Sequence, residues 1–571
     1  MIRNPILPGF HPDPSILRVE GDYYIAVSTF EWFPGIAIYH SKNLKEWTLR
    51  THALTDEADL DLRRLPSAKG VWAPCLTRDA ATGLFHLAYS LMLSHNARYF
   101  DVDNFLVVSP SIDGPWSRPA YLHSVGFDPS LFHDDDGRKY VACLEWELAG
   151  MGRPGGIVIQ EYDPIEKKMV GPLRRVWAGG TRRGCVEGPH LYKRNGWYYL
   201  LCAEGGTGYG HCVTVARSRS VWGPYEGDPE NPILSAADDF DEADRDDFLK
   251  SHRYEPSSPL QKTGHASWVE TASGEHYLAH LCARPFVPEL RCTLGRETAL
   301  QKAFWTADGW LRVEGGKRPR LEIPEPALLP ADSPATAATA VAVPAASAAA
   351  VPAASAAAAS ARPARDHFDG PWDPELVTPR VPLSRFGSVT EKPHHLRLRG
   401  MQSLCSLDTV ALVARRLTSL HAEAAAAVDF DPDDFRQSAG LVAYYDNMDH
   451  LFLRVCRDEE DGDRLLVLTR LDNGKRNDIY CAVLPPAGRV RLRLTVRSRE
   501  LRFFYTLDDA ADRSIEAATW LQAGPVLDTS ELSDEYCSFG EFTGTFVGIA
   551  CVDSGRREKP ADFDWFEYRP E

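Results

Sequence analysis

In RVRLRLTV, residues 489–496, Val490, Leu492, Leu494 and Val496 fall on one face and Arg489, Arg491 and Arg493 on the other. A two-residue period of this kind marks a strand with one face in a core. Similar strands recur at GLVAYY and HLFLRV, with turns such as LDNGK between strands. Residues 366–571 are therefore predicted to form a half-buried antiparallel β-sandwich. The first 325 residues show no long helical period. Short runs of Tyr, Val, Leu and Trp alternate there with turns rich in Gly, Asp and Asn, again the mark of strands.

One unit of this first part recurs. Asp13-Pro-Ser-Ile-Leu is followed by Gly21-Asp-Tyr-Tyr, and Asp128-Pro-Ser-Leu-Phe by Gly137-Arg-Lys-Tyr. Glu187-Gly-Pro-His-Leu-Tyr precedes Gly196-Trp-Tyr-Tyr, and His265-Ala-Ser-Trp-Val precedes Gly274-Glu-His-Tyr-Leu. A weaker copy runs from Trp72-Ala-Pro-Cys-Leu to Gly83-Leu-Phe-His-Leu. The starts at 13, 72, 128, 187 and 265 are spaced by 59, 56, 59 and 78 residues. The long last step contains DDFDEADRDD, which reads as a solvated insertion. SKNLKEW, SPSIDGPW and SRSVWGPY echo the same period. Five such units predict an all-β, five-bladed propeller, within the roughly 4–8 blades of such folds. A stacked solenoid fits less well, since its repeats usually span about 20–50 residues.

Length and charge narrow the function. A chain of 571 residues that is 44% hydrophobic can fill two or three cores. Its formal net charge of −17, from 63 basic and 80 acidic residues, speaks against nucleic acid or an anionic membrane as partner. No apolar stretch approaches the length of a transmembrane helix. MIRNPILPGFHPDP meets Pro and Gly too early for a signal peptide. The 12 Cys are scattered without C-x-x-C, several in apolar runs such as YVACLEW and YYLLCAEG. Buried thiols in a reducing compartment are expected, hence a cytoplasmic protein.

The repeat also concentrates chemistry. First strands of successive blades line the central channel, so Asp13, Asp128, Glu187 and His265 are expected to converge on one axis. Singly, Asp13 and Asp128 before Pro read as turn formers, and His265 as a satisfied core histidine. Three acids around one axis repel each other and lose hydration, a costly arrangement unless it is used. Glycoside hydrolysis uses such a set: one carboxyl protonates the leaving oxygen, a second activates water or attacks carbon, and a third tunes the acid. Phe30 in STFEWFPG, Trp72 in VWAP and Trp146 in CLEW lie near these slots. Aromatic faces suit a sugar pocket, although each could equally pack between blades. Calcium, which takes about 6–8 oxygen ligands, is the rival use of the acids, but no EF-hand or zinc spacing appears.

GFHPDPSI, STFEWFPGIAIYHSKNLKEW, GFDPSLFHDDDG, EGPHLY, GHASWVET and LGRETALQK resemble glycoside hydrolase family 43, in particular its two-domain β-xylosidase branch. SAGLVAYYD, FTGTFVG and PADFDWF extend the resemblance to the C-terminal part. The resemblance implies a propeller at residues 1–329 and a concanavalin-like jelly roll at 366–571 that packs on it. It implies Asp13 as general base, Glu187 as general acid and Asp128 as the group that tunes and orients Glu187. His265 and Arg296 would line the pocket, with Phe542 as a lid from the second domain, although Arg296 beside Glu297 also reads as an ion pair. One departure is Cys75, where the family commonly has Asp after Trp-Ala-Pro.

The expected activity is inverting release of xylose from the non-reducing end of short β-1,4-xylo-oligosaccharides. The alternatives are an α-L-arabinofuranosidase, alone or as a second activity, and a non-catalytic sugar-binding propeller. No cofactor is required and no metal ligand is assigned, with an accessory divalent cation such as calcium allowed near His265. A homodimer or homotetramer is expected. Between the domains, residues 330–365 break their Ala runs with Pro, which predicts a flexible linker.

Overall fold

The structure, a computed structural model, describes residues 1–96, 99–146, 155–240, 249–327, 364–507, 518–538 and 542–571. Five antiparallel sheets follow one another along the first part of the chain. Blade 1 contains Ser15–Val19, Asp22–Val27, Gly35–Ser41 and Thr48–Leu54. Blades 2 to 5 begin at Gly70–Arg78, Ser130–His133, Glu187–Arg194 and Gln261–Glu270. Each first strand packs against those of both neighbouring blades, and blade 5 returns to blade 1. The ring is a five-bladed propeller.

Two devices close it. The N-terminal strand Ile2–Arg3 pairs with Glu322–Ile323, Leu7 bridges to Thr298, and the His11 N–H donates to the Arg296 carbonyl at 2.9 Å. Around the channel, side chains near the starts of the first strands stitch blade to blade. Ser15 Oγ accepts the Leu76 N–H at 2.9 Å, and Ser267 Oγ accepts the Ile16 N–H at 2.9 Å while donating to the Pro14 carbonyl. Cys75 fills the matching place in blade 2. Its sulfur receives the Leu131 amide and lies 3.8 Å from His190 Nδ1. Cys75 is thus a buried member of the blade-joining ring rather than a pocket acid.

The C-terminal part is a two-sheet sandwich. One sheet is built around Pro560–Pro570, His421–Asp429, Val490–Arg497 and Glu500–Thr506. The other orders Ala411–Arg416, Phe546–Asp553, Gln437–Tyr444, His450–Arg457, Arg464–Asp472 and Lys475–Val483. Val490, Leu492, Leu494 and Val496 face the core, as the alternation predicts, together with Leu441, Leu453 and Ile549. Opposite them, Arg489 pairs with Asp429 and Arg493 with Glu423, and Arg491 is itself buried. The linker expected at 330–365 lies outside the described residues except for Ala364 and Arg365, and Arg365 already pairs in a strand with Glu567.

The second sheet of the sandwich has an apolar outer face. Leu412, Ala414, Val442, Tyr444, Phe452 and Phe546 pack there against Phe10, Phe30 and Trp32 of the propeller. Trp32 stacks on Phe546 with ring centroids 3.9 Å apart and meets Tyr444 edge-on. Thr378–Pro379 adds a short ladder to Trp32–Phe33. The two lobes therefore share a core, which burial of large aromatic surfaces stabilises. Trp32→Ala is expected to lower the unfolding free energy by about 3–5 kcal/mol, measured by urea denaturation. A loss under about 1 kcal/mol would mean that the lobes are not held through this cluster.

Candidate active site

A common strain recurs within or just before each first strand. Asp13, Ala73, Asp128, Gly188 and His265 all have left-handed backbones, with φ of 57°, 43°, 58°, 55° and 46°. For residues with a Cβ this conformation costs on the order of 1–3 kcal/mol each. It falls two residues before the strand in blades 1 and 3, and inside the strand in blades 2, 4 and 5, where the pairing register shifts between Trp72 and Cys75, between Glu187 and His190, and between Gly264 and Ser267. This corrects the sequence alignment. Asp13, Asp128 and His265 share one slot, but in blades 2 and 4 that slot belongs to Ala73 and Gly188, and Trp72 and Glu187 each stand one residue earlier. A Cβ at Gly188 would lie 3.1 Å from the His265 ring, tighter than ordinary contact, so glycine relieves crowding there and adopts the left-handed φ without strain.

The three acids nevertheless meet, each held differently. Asp13 Oδ2 accepts the Ser28 hydroxyl at 2.7 Å. Its Oδ1 lies 3.3 Å from Arg296 Nη1 and 3.6 Å from His265 Nδ1. Burial pushes the Asp13 carboxyl up, but Arg296, then His265 and the Ser28 hydroxyl, more than offset this and hold it below its ordinary value. Asp128 donates its N–H to Ser90 Oγ at 3.1 Å, and its Oδ2 accepts the Gly188 N–H at 2.9 Å. Burial, countered by His265 and reinforced by the Asp13 charge, pushes Asp128 up to about 6. Glu187 goes well above the usual carboxylate range. Burial is the main cause, followed by the charges of Asp128 and Asp13, while Arg296 and Lys250 pull it the other way. The site thus has one carboxyl biased to ionise and one biased to keep its proton, the pairing that acid–base chemistry needs.

Arg296 ties this hub to the sandwich. Its Nε and Nη2 donate to the Phe542 carbonyl at 3.2 and 3.1 Å, and its Nη1 donates to Thr207 Oγ1 at 3.1 Å as well as to Asp13. The guanidinium faces the rings of Phe542 at 5.0 Å and Phe30 at 5.5 Å. The alternative pairing with Glu297 does not occur, because that carboxylate binds Arg284 through two hydrogen bonds of 2.7 Å. Phe542 sits in the inter-lobe core with Phe10 and Phe30. Trp72, half-buried, packs on Phe30 and Phe127. Trp146 stands on the same aromatic wall, against Phe100 and Phe127. All nine expected site residues therefore surround one hub or its wall.

Several contributors escaped the sequence reading. Ser28 and Ser90 hold Asp13 and Asp128, and Ser90 is braced by donating to Asn104 Oδ1 at 2.7 Å. Ser28 follows the second strand of blade 1 and Ser90 lies within that of blade 2, both in the pattern Ala-x-Ser, Ala26 to Ser28 and Ala88 to Ser90, so aligning second strands would have exposed them. Lys250, which raises the positive charge near Glu187, comes three residues after the acidic insertion read as solvated. His211 donates Nδ1–H to the Lys262 carbonyl and is held neutral, near 3, by burial and by His265. Among the described residues no group of three or more His, Cys, Asp or Glu is arranged to hold a metal ion.

Residues 2–311 match the family described as "Glycosyl hydrolases family 43", and residues 365–569 match "Beta xylosidase C-terminal Concanavalin A-like domain". The chain is 41% identical over 580 residues to "Xylosidase/arabinosidase 43B" of Humicola insolens, covering 100% of this chain and 98% of the other. It is 42% identical over 586 residues to a "Beta-xylosidase" of Bacillus subtilis (strain 168), covering 100% and 99%. The crystal structure of a xylan β-1,4-xylosidase from Bacillus halodurans C-125 is similar with a TM-score of 0.87 at 41% identity, covering 100% of both chains.

Proposed function

The chain belongs to glycoside hydrolase family 43, and from that membership and the charge order of its hub we infer that it releases single xylose units from the non-reducing ends of short β-1,4-xylo-oligosaccharides. It is a glycoside hydrolase. The observation that carries the reading is the split in proton affinity between Asp13, held low by Arg296, and Glu187, held high by burial and by its acidic neighbours.

Glu187 gives its proton to the glycosidic oxygen as the bond to the anomeric carbon breaks. Asp13 takes a proton from a water that attacks the opposite face of the sugar, so the product has the inverted configuration. Asp128 stays out of the bond changes. Its charge keeps Glu187 protonated, and its bond to the Gly188 N–H fixes the backbone next to Glu187. Arg296 spends four N–H groups on protein, which leaves one on Nη2 for a sugar hydroxyl. The sandwich residue Phe542 closes the pocket on one side, which favours action at chain ends.

α-L-Arabinofuranosidase activity is the second reading, favoured by the name of the Humicola relative. Comparing the 4-nitrophenyl β-xyloside with the α-arabinofuranoside separates the two. The cytoplasmic location and the homo-oligomer belong to the same proposal. All twelve cysteines are unpaired, and Cys405 and Cys481 are exposed thiols that suit a reducing compartment. An accessory calcium near His265 would add charge to the hub without taking part in a bond change, and chelation followed by calcium add-back measures it.

Proton NMR of xylobiose during hydrolysis should show an early excess of α-xylose over its equilibrium share, since the reducing-end unit leaves as an anomeric mixture, and an early excess of β-xylose would overturn the water-attack mechanism. Glu187→Gln is expected to lose about 10²–10⁴-fold in kcat on xylobiose, and much less on substrates whose leaving group needs no proton. Asp13→Asn should lose activity on both kinds of substrate. Equal losses for the two variants across leaving groups would refute the assigned roles. Asp128→Asn removes a charge that raises Glu187. The Glu187 pKa then falls, and the basic limb of kcat/KM, where the acid is lost as pH rises, moves to lower pH. A basic limb that stays in place would remove Asp128 from this role.

A further inference from the structure

Lys262 is a buried cation that the bond changes above leave unused. It lies in the first strand of blade 5, three residues before His265, with a left-handed backbone (φ 52°) and 1% exposure. Its Nζ stands 2.6 Å from Glu535 and 3.8 Å from Asp534, both from the sandwich. Burying such a group is costly, and only good geometry with further hydrogen bonds offsets the desolvation. Both acids have that further anchoring, and it leads to the hub.

Glu535 Oε2 accepts the Cys292 N–H at 2.8 Å. Cys292 opens a turn closed by the Gly295 N–H at 3.0 Å, and the next residue is Arg296. Asp534 accepts the Tyr445 hydroxyl and lies within the field of Arg296 as well as of Lys262. The same stretch is held to the sandwich by Thr293 Oγ1 donating to the Thr529 carbonyl and by the Thr545 N–H donating to the Thr293 carbonyl. There is no slack at this seam, since a Cβ on Gly295 would lie 2.2 Å from the Thr543 carbonyl oxygen.

We propose that Lys262 is a positioning residue for the hydrolysis: by clamping Glu535 and Asp534 it fixes the Cys292–Gly295 turn, and so sets where the Arg296 guanidinium stands against Asp13. The proposal rests on Asp13 being the base. Lys262 touches no reacting atom. The groups facing Asp13 are Arg296, His265, His211, Asp128, Glu187 and the Ser28 hydroxyl, and Arg296 does most to lower its proton affinity. When Arg296 drifts, the Asp13 pKa rises. The base is lost as pH falls through that pKa, so the acid limb of kcat/KM moves to higher pH.

The test uses the full chain with Lys262→Met, and with Glu535→Gln as the isosteric variant that carries the same readouts where the first fails to fold. On 4-nitrophenyl β-xyloside, kcat/KM should fall roughly ten- to a hundredfold, as for a misplacement of about 1 Å. The acid limb should rise by about half a pH unit or more while the basic limb stays, and Lys262→Arg should recover part of both effects. Hydrogen–deuterium exchange should quicken at 292–296 and 529–538 and not in blades 1 to 4. An acid limb that stays in place in folded variants would overturn the proposal, as would exchange that quickens evenly along the chain. If the wild-type protein fails to cleave the xyloside, the substrate assignment falls, and the exchange pattern alone still decides for or against the clamp.

Discussion

Carboxyl groups that share a hub largely closed to water cannot all ionise at neutral pH, and the structure is arranged around settling which of them does. Asp13 receives the Arg296 guanidinium at 3.3 Å and, beside it, the His265 ring at 3.6 Å. Glu187 receives burial and two acidic neighbours. Asp128 sits between, pinned by the Gly188 N–H and pushed up to about 6. Closure of the propeller enforces this. Left-handed residues within or just before the five first strands aim side chains at one axis, and blade 5 is locked to the N-terminal segment that carries Asp13. The left-handed backbones are the strain accepted for that convergence.

The sandwich is part of the same electrostatic device. The Phe542 carbonyl takes two hydrogen bonds from Arg296, so the cation that lowers Asp13 is held partly by the second lobe. The aromatic seam of Trp32, Tyr444 and Phe546 gives that lobe a fixed seat. One side of the hub and the setting of one of its charges thus depend on docking between domains that are far apart in sequence. A chain with the propeller alone would keep its three acids and lose the anchor of Arg296.

What the sequence disclosed follows from what was local. Period-two alternation identified the sandwich core, and the Asp-Pro-Ser echo identified the blades, because both are written in consecutive residues. The echo misled by one position in blades 2 and 4. Glu187-Gly-Pro looks like Asp-Pro with one residue inserted, whereas the backbone slot is filled by Gly188, where a Cβ would press to 3.1 Å from the His265 ring. The partners of Arg296 were illegible, since Glu297 is its neighbour in the chain while Asp13, Thr207 and Phe542 are its neighbours in space. Lys262 and Lys250 carried no motif. Their roles come from acids contributed by other segments, which composition and periodicity do not reveal.

The division of protons is most directly measured by infrared difference spectroscopy at neutral pH, subtracting Glu187→Gln and Asp13→Asn in turn from the wild-type enzyme. Loss of a protonated carboxyl band with the first variant, and of an ionised carboxylate pair with the second, is the expected result. Loss of ionised carboxylate signals in both cases would show that Glu187 has no proton to give, and would contradict the account at its centre.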